Sequence, residues 1–264
     1  MSAPRWDDLA PRVASAAVMV AIAAAALWWG GVAFRAMIAL ACALMLWELM
    51  RLCTPRAGTA PVVVAALGGA VLMAVPSLPG VWMLPLLLAV VVAGLGRAGA
   101  GHRAVWGIYG ALILLAGLGM IALRMQAGAG WMTWLFAVVV ASDVAGYFAG
   151  KALGGPLLWP RVSPKKTWSG TVAGWAGAAV AGALFATWLG ADMAMMALLS
   201  VILAVAAQAG DIGESAIKRR AGVKDSSALI PGHGGVLDRF DGMVGAALAM
   251  LVAGLLAGMP PGVS

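Results

Sequence analysis

Residues 131–150, WMTWLFAVVVASDVAGYFAG, decide the fold of this 264-residue chain. Asp143 is the one charged side chain in this stretch, which is long enough to cross a hydrocarbon core of roughly 30 Å. Similar runs recur along a chain that is 63% hydrophobic and only 10% charged. The runs are continuously apolar, whereas barrel strands of about ten residues would alternate. The sequence therefore predicts an all-α, polytopic integral membrane protein.

We predict about nine transmembrane helices, over residues 13–29, 32–50, 60–76, 80–96, 104–123, 131–150, 170–189, 192–210 and 243–259. Pro76, Pro79 and Pro85 interrupt the third and fourth, although membrane helices tolerate proline where neighbouring groups satisfy the backbone. A cleaved signal peptide over residues 1–29 is the competing interpretation. It would leave the number of crossings inconsistent with the distribution of charge.

The basic residues predict the orientation of the helices. With a cytoplasmic N-terminus, every lysine and arginine except Arg35 and Arg124 lies on the cytoplasmic side, as the positive-inside rule requires. This bias also accounts for the net charge of +7, so a nucleic-acid partner is not expected. We predict one integral domain over residues 1–264 in a bacterial-type inner (cytoplasmic) membrane, with its active site facing the cytoplasm. Two cysteines are too few for a disulfide framework.

Polar residues concentrate in two predicted cytoplasmic segments, 143–169 and 208–242, which we expect to be catalytic. The first begins with Asp143, whose carboxylate is costly within a membrane helix, and ends with SPKKT at 163–167 before a helix start. Lysines beside a helix N-terminus suit a phosphate. The alternatives are that Asp143 reaches the interface and that the lysine pair is an orientation signal. Glu48 is expected to be structural, with Arg51 placed to pair with it.

The second segment, Asp211 to Asp241, reads DIGESAIKRRAGVKDSSALIPGHGGVLDRFD. If the eighth helix continues into it, Asp211, Glu214, Ser215 and Lys218 share one helical face. The PGHGG turn at 231–235 leaves backbone amides open to a ligand, and Asp238 and Asp241 recur one turn apart. Hard oxygen ligands without cysteine favour Mg²⁺ together with substrate phosphates. The alternative is a solvated loop whose charges neutralise one another.

The second segment also carries a resemblance. Ser215-x-x-Lys218-Arg219-x-x-x-x-Lys224-Asp225, followed by Pro231-Gly-His233-Gly-Gly-x-x-Asp238-Arg239-x-Asp241, resembles the signature of the phosphatidate cytidylyltransferases, also called CDP-diacylglycerol synthases. SPKKT at 163–167 and Asp143-x-x-x-Tyr147-Phe148-x-Gly150 resemble two further parts of that family. Ser227 and Gly242 depart from it, at positions where glycine and serine are frequent. The upstream helices match mainly in being apolar.

The resemblance implies a Mg²⁺-dependent transfer of CMP from CTP to phosphatidate, giving CDP-diacylglycerol and pyrophosphate for phospholipid biosynthesis. It implies one or two divalent ions, with a monovalent ion also compatible, and it leaves a homodimer open. By charge type we assign catalytic roles to Asp211, Lys218, Arg219, Asp238 and Asp241. Metal ligands are expected among Asp143, Asp211, Asp238 and Asp241, with Glu214 and Asp225 behind them orienting lysines. The expected substrate-binding residues are Ser163, Lys165, Lys166, Thr167, Ser215, Lys224, His233 and Arg239.

Three other functions are alternatives to this one. A CTP-dependent lipid or polyprenol kinase needs similar groups and is the principal alternative. Asp238-Arg-Phe-Asp241-Gly242 resembles the start of the CDP-alcohol phosphotransferase motif, but no acidic residue follows Asp241. A transporter would need more polar residues near the bilayer midplane than these spans contain.

Overall fold

The computed structural model describes residues 9–54 and 58–258, and the side chains from residue 13 onward in the first of these ranges. In those ranges nine α-helices follow one another, interrupted once by a small hairpin. The helices are α1 (Leu9–Trp29), α2 (Gly31–Cys53), α3 (Ala60–Ala74), α4 (Met83–Leu95), α5 (Arg103–Gln126), α6 (Gly128–Leu153), α7 (Trp168–Leu189), α8 (Met193–Arg220) and α9 (Leu237–Ala257). The hairpin strands are β1 (Leu157–Trp159) and β2 (Ser163–Thr167).

The predicted all-α, polytopic fold is confirmed. Among the described residues, seven helical segments are long and apolar enough to cross a membrane. The apolar helices Val13–Trp29 and Gly80–Leu95 are shorter. Each of the nine predicted spans corresponds to one α-helix. Nine crossings and a cytoplasmic N-terminus remain predictions.

Two regions differ from a simple series of spans. Pro76 lies within the short 3-10 turn Val75–Ser77 and Pro79 directly precedes the 3-10 turn Gly80–Trp82, because proline has no N–H to donate to a helix. Pro85 lies in the first turn of α4, where such a donor is not needed. The loop that contains SPKKT forms an antiparallel hairpin, in which Leu157 is opposite Thr167 and Trp159 is opposite Ser163. These strands were not expected from the sequence.

The chain divides into two compact units, each described by itself. The first contains residues up to Leu114 together with Arg220–Phe240. In it α2 packs against α1 and α3, and α3 packs against α4. Trp106 is fully buried and donates from Nε1 to the carbonyl of Val91 at 2.8 Å. A Cβ on Gly94 would lie 2.2 Å from the Trp106 ring, so glycine leaves room for the indole.

The second unit contains Leu115–Arg219 and the chain from Asp241 onward. Helices α6 and α7 approach so closely that a Cβ on Gly170 would lie 2.6 Å from the carbonyl oxygen of Gly146. Helices α8 and α9 approach in the same way, since a Cβ on Gly210 would lie 2.3 Å from the carbonyl oxygen of Asp241. Small residues allow such contacts between membrane helices. They bring the polar positions of α6, α7, α8 and α9 within this unit close together.

Candidate active site

A cavity of about 560 Å³ lies in the second unit. Its walls come from α6, the hairpin, α7 and α8. The residues that line it are Ser142, Asp143, Gly146, Tyr147, Gly150, Lys151, Ser163, Lys165, Lys166, Thr167, Gly170, Thr171, Gln208 and Asp211. Six residues predicted for the site from sequence, from Asp143 to Asp211, therefore line one cavity.

The hairpin places the lysines of SPKKT at this cavity. Strand β2 leads directly into α7, and Thr167 is the N-cap, accepting from the backbone N–H of Gly170 at 3.2 Å. The backbone N–H of Trp168 donates to the carbonyl of Pro156 at 3.0 Å, which ties the start of α7 to the beginning of the hairpin. These bonds fix the direction in which Lys165 and Lys166 leave the strand. The Thr167 hydroxyl is thus engaged in capping the helix.

Lys166 forms an ion pair with Asp211. The Ser215 hydroxyl, one turn further along α8, donates to the other oxygen of Asp211 at 3.3 Å. The ion pair joins β2 to α8 across the cavity, and both side chains remain about one-third accessible. A phosphate bound here would meet an ammonium and a carboxylate already held in place.

Helix α8 continues to Arg220, as the facial spacing of its polar residues required. Glu214 is completely buried and its Oε2 contacts the ammonium of Lys218 at 2.8 Å. The ion pair joins Glu214 to Lys218, and the expected role of Glu214 in orienting a lysine for the reaction remains a prediction. Arg219 is on the exposed surface of the same turn.

Three carboxylates of this unit, Asp143, Asp211 and Asp241, lie close enough to repel one another electrostatically. Among residues 9–54 and 58–258, however, no three His, Cys, Asp or Glu side chains are grouped closely enough to hold a metal ion. The donors fit a hard cation that takes one or two carboxylates and completes its shell with water and phosphate, as Mg²⁺ does. They do not form a metal cage.

Five polar residues of the cavity were not among the site residues predicted from sequence: Ser142, Tyr147, Lys151, Thr171 and Gln208. Ser142, Thr171 and Gln208 lie within predicted spans, on α6, α7 and α8. Trp175 Nε1 donates to Gln208 Oε1 at 3.0 Å, while Ser142 Oγ is buried without a hydrogen-bond partner in the described part of the chain. Their position could have identified them, because a polar side chain inside an apolar span marks a functional or packing site.

Asp238 belongs to the first unit, where it organises the loop before α9. Its Oδ2 accepts from the backbone N–H of Ser226 at 2.9 Å, from the Ser226 hydroxyl at 2.9 Å and from the N–H of Gly235 at 2.7 Å. The carboxylate thus joins the two ends of the loop that contains PGHGG. Asp241, on the next turn of α9, accepts from the backbone N–H of Gly242 at 2.7 Å.

The remaining predicted residues of this loop are placed as follows. His233 Nδ1 lies 2.8 Å from the Ser15 hydroxyl on α1, and its carbonyl accepts from Arg239 Nε at 2.8 Å. Arg239 therefore closes the PGHGG turn. Lys224 and Asp225 are exposed at the beginning of the loop. None of the assigned catalytic or binding roles is decided by these contacts, so they remain predictions.

Fold and cavity together define a polytopic membrane protein in which lysines and carboxylates line one cavity. The chain belongs to the cytidylyltransferase family, whose model matches residues 10–256.

Bacterial relatives are similar over part of their length. The chain is 48% identical to the phosphatidate cytidylyltransferase of Brucella suis over 130 residues, which are 49% of this chain and 48% of that protein. It is 43% identical to the enzyme of that name from Helicobacter pylori over 143 residues, 53% of each chain. For the Mycobacterium bovis protein of the same name, identity is 37% over 137 residues, 52% of this chain and 45% of that one. The chain spans about half the length of the curated relatives it matches.

Proposed function

We propose that this protein transfers CMP from CTP to phosphatidate, producing CDP-diacylglycerol and pyrophosphate. The observation that carries the proposal is the cavity in which Lys165 and Lys166 meet Asp143 and Asp211, in a chain of the cytidylyltransferase family. The names of the three relatives support the choice of phosphatidate as acceptor. A cavity formed by membrane helices suits a reaction between a lipid headgroup and a water-soluble nucleotide.

The reaction needs positioning and charge neutralisation more than proton transfer. A phosphate oxygen of phosphatidate attacks the α-phosphorus of CTP, the bond from that phosphorus to the bridging oxygen breaks, and pyrophosphate leaves with the bonding electrons. Phosphatidate is already an anion, so a strong general base is unnecessary. Lys165 and Lys166 neutralise phosphate charge as it develops, which is where fixed cations lower a barrier most.

Mg²⁺ is part of the proposal, with Asp143 and Asp211 as its first candidate ligands and Asp241 near them. When bound, it supplies a Lewis acid that neutralises the CTP phosphates. Ser215 holds Asp211 in place, and Lys166 compensates its charge before substrate arrives. Asp238 is the remaining predicted ligand. Its hydrogen bonds to Ser226 and Gly235 order the loop before α9.

The test is a direct assay of the purified protein in detergent with Mg²⁺, CTP and phosphatidate. We expect CDP-diacylglycerol and pyrophosphate in equal amounts. Asp143→Asn and Asp211→Asn keep the side-chain shape and remove the charge, so both variants should fold and lose most of the activity. Ser200→Ala is the matched control, because Ser200 is buried on α8 and bonds Trp134 at 3.0 Å rather than lining the cavity.

Two results would contradict the proposal. Release of CDP together with a newly phosphorylated lipid alcohol would identify a kinase instead. Full activity in Asp211→Asn would show that the cavity is not the site of transfer. Removal of Mg²⁺ by a chelator should abolish turnover, and its restoration should recover it.

A further inference from the structure

Glu48 lies in the middle of a hydrogen-bonded cluster on the loop before α9. It is carried by α2, an apolar helix, and its side chain is completely inaccessible to solvent. Its Oε1 accepts from the Ser227 hydroxyl at 2.5 Å and from the backbone N–H of Val236 at 2.9 Å, and its Oε2 accepts from the N–H of Leu237 at 2.6 Å. A buried carboxylate is costly unless it is hydrogen-bonded, and here three donors face it.

The two backbone donors explain why a carboxylate is suited to this position. Leu237 is the first residue of α9, so the N–H groups of Val236 and Leu237 are among those that have no acceptor within the helix. The partial positive charge of a helix N-terminus also favours an anion. Glu48 therefore caps α9 from a helix nearly two hundred residues away in sequence, with separations of 188 and 189 residues to these donors.

The same cluster leaves no room for a side chain at Gly235. A Cβ on Gly235 would lie 2.5 Å from Glu48 Oε1 and 2.0 Å from Ser226 Oγ. Ser226 in turn donates to Asp238, whose Oδ2 also accepts from Gly235. Glu48 and Asp238 thus hold opposite sides of one loop. A shift of Glu48 would therefore move Asp238 and the PGHGG turn. Arg51, which the spacing placed beside Glu48, lies over the Trp47 ring at 4.6 Å from its centroid.

We infer that Glu48 is a positioning residue for the reaction, acting through the loop 226–237 and the first turn of α9. The inference rests on the proposed function, because the loop matters to catalysis only if Asp238, which it holds, takes part in the reaction. Because Glu48 is completely buried, it acts through the loop and not directly on a substrate. Its effect is to hold a loop rich in glycine in one conformation.

Glu48→Gln is the sharpest test because it keeps the volume of the side chain. In either orientation of the amide, its NH₂ group faces the N–H of Val236 or Leu237, so one backbone donor loses its acceptor. We expect kcat per folded molecule to fall about tenfold or more, with KM for CTP raised and KM for phosphatidate changed less than about twofold. Ser227→Ala, which removes one donor only, should produce a smaller decrease in kcat.

Hydrogen exchange provides a readout that does not need turnover. In Glu48→Gln, amides of residues 226–237 should exchange faster than in the native protein, while those of α6 should not change. The control Ser200→Ala removes a buried hydrogen bond elsewhere and should leave both kcat and exchange of the loop at native values. If the native protein had no cytidylyltransferase activity, the proposed function would fail, but the exchange comparison would still test the contact.

Two outcomes overturn the inference. Unchanged exchange in residues 226–237 would show that Glu48 does not hold the loop. Faster exchange with native kcat and KM would show a contribution to the structure alone. A variant with less folded protein but native kcat per folded molecule leads to the same conclusion.

Discussion

At the scale of single residues, Lys166 pairs with Asp211 and, in the proposed reaction, would also bind phosphate oxygens. Both members of the pair are about one-third accessible, with side-chain exposures of 27% and 33%. An ion pair this open contributes at most about 1 kcal/mol to stability. We therefore expect the loss of Lys166 to affect activity more than stability.

Lys166→Met should consequently separate activity from stability. We expect kcat to fall about 100-fold or more, since a preorganised cation that stabilises transition-state charge is lost. The thermal midpoint in detergent should change little. Steady-state kinetics and a thermal unfolding scan on the same preparation provide the two measurements. A large loss of stability with proportionate loss of activity would contradict this account.

Gly235 gives a second prediction, this time of a steric kind. The Cβ in Gly235→Ala would lie 2.0 Å from Ser226 Oγ, which is tied to Asp238, so the loop must move. Overpacking of this kind costs about 1–3 kcal/mol. Gly96→Ala is the control, because a Cβ at Gly96 meets nothing within 4 Å and its backbone is helical, with φ of −69°. We expect a lower unfolding midpoint for Gly235→Ala and a native or slightly higher one for Gly96→Ala.

At the scale of elements, the lengths of the apolar runs predicted the helices well. They did not predict the hairpin or the polar contacts between distant parts of the chain. Residues 131–150 identified α6 because a largely apolar stretch of this length has few alternatives to a helix in a membrane. The β1–β2 hairpin was missed because strands of 3 and 5 residues carry too little periodicity to be recognised. Glu48 was expected to be structural, but its partners on α9 depend on tertiary contacts that no local spacing encodes.

The Thr167 side chain caps α7 at its junction with β2, and this leads to a third prediction. Thr167→Val keeps the shape but removes the oxygen that accepts from the N–H of Gly170, at a cost of about 1 kcal/mol. Because Lys166 immediately precedes the cap, activity should fall with the loss of helix order. Thr167→Ser restores an acceptor and should recover both properties. Unfolding midpoints and kcat of the two variants test this directly, and equal behaviour of valine and serine would contradict it.

At the scale of the whole molecule, α4 belongs to one of the two shorter apolar helices on which the number of crossings depends. The apolar helix Gly80–Leu95 spans only about 24 Å at 1.5 Å per residue, less than a hydrocarbon core of roughly 30 Å. A short helix is accommodated by local thinning of the bilayer at modest cost. If α4 crosses, six helices separate the loop at Gly58 from the loop at Ala228, and both lie on one side of the membrane. If it does not, they lie on opposite sides.

Cysteine labelling in intact and permeabilised cells decides between these topologies. Native Cys42 and Cys53 are buried and should contribute little background. We expect a membrane-impermeant maleimide to label Ala191→Cys in intact cells, and to label Gly58→Cys and Ala228→Cys only after permeabilisation, because basic residues favour the cytoplasmic side. Labelling of Gly58→Cys and Ala228→Cys from opposite sides would exclude α4 as a crossing helix. Labelling of Ala228→Cys in intact cells would remove the loop before α9 from the compartment that supplies the nucleotide, and with it the proposed reaction.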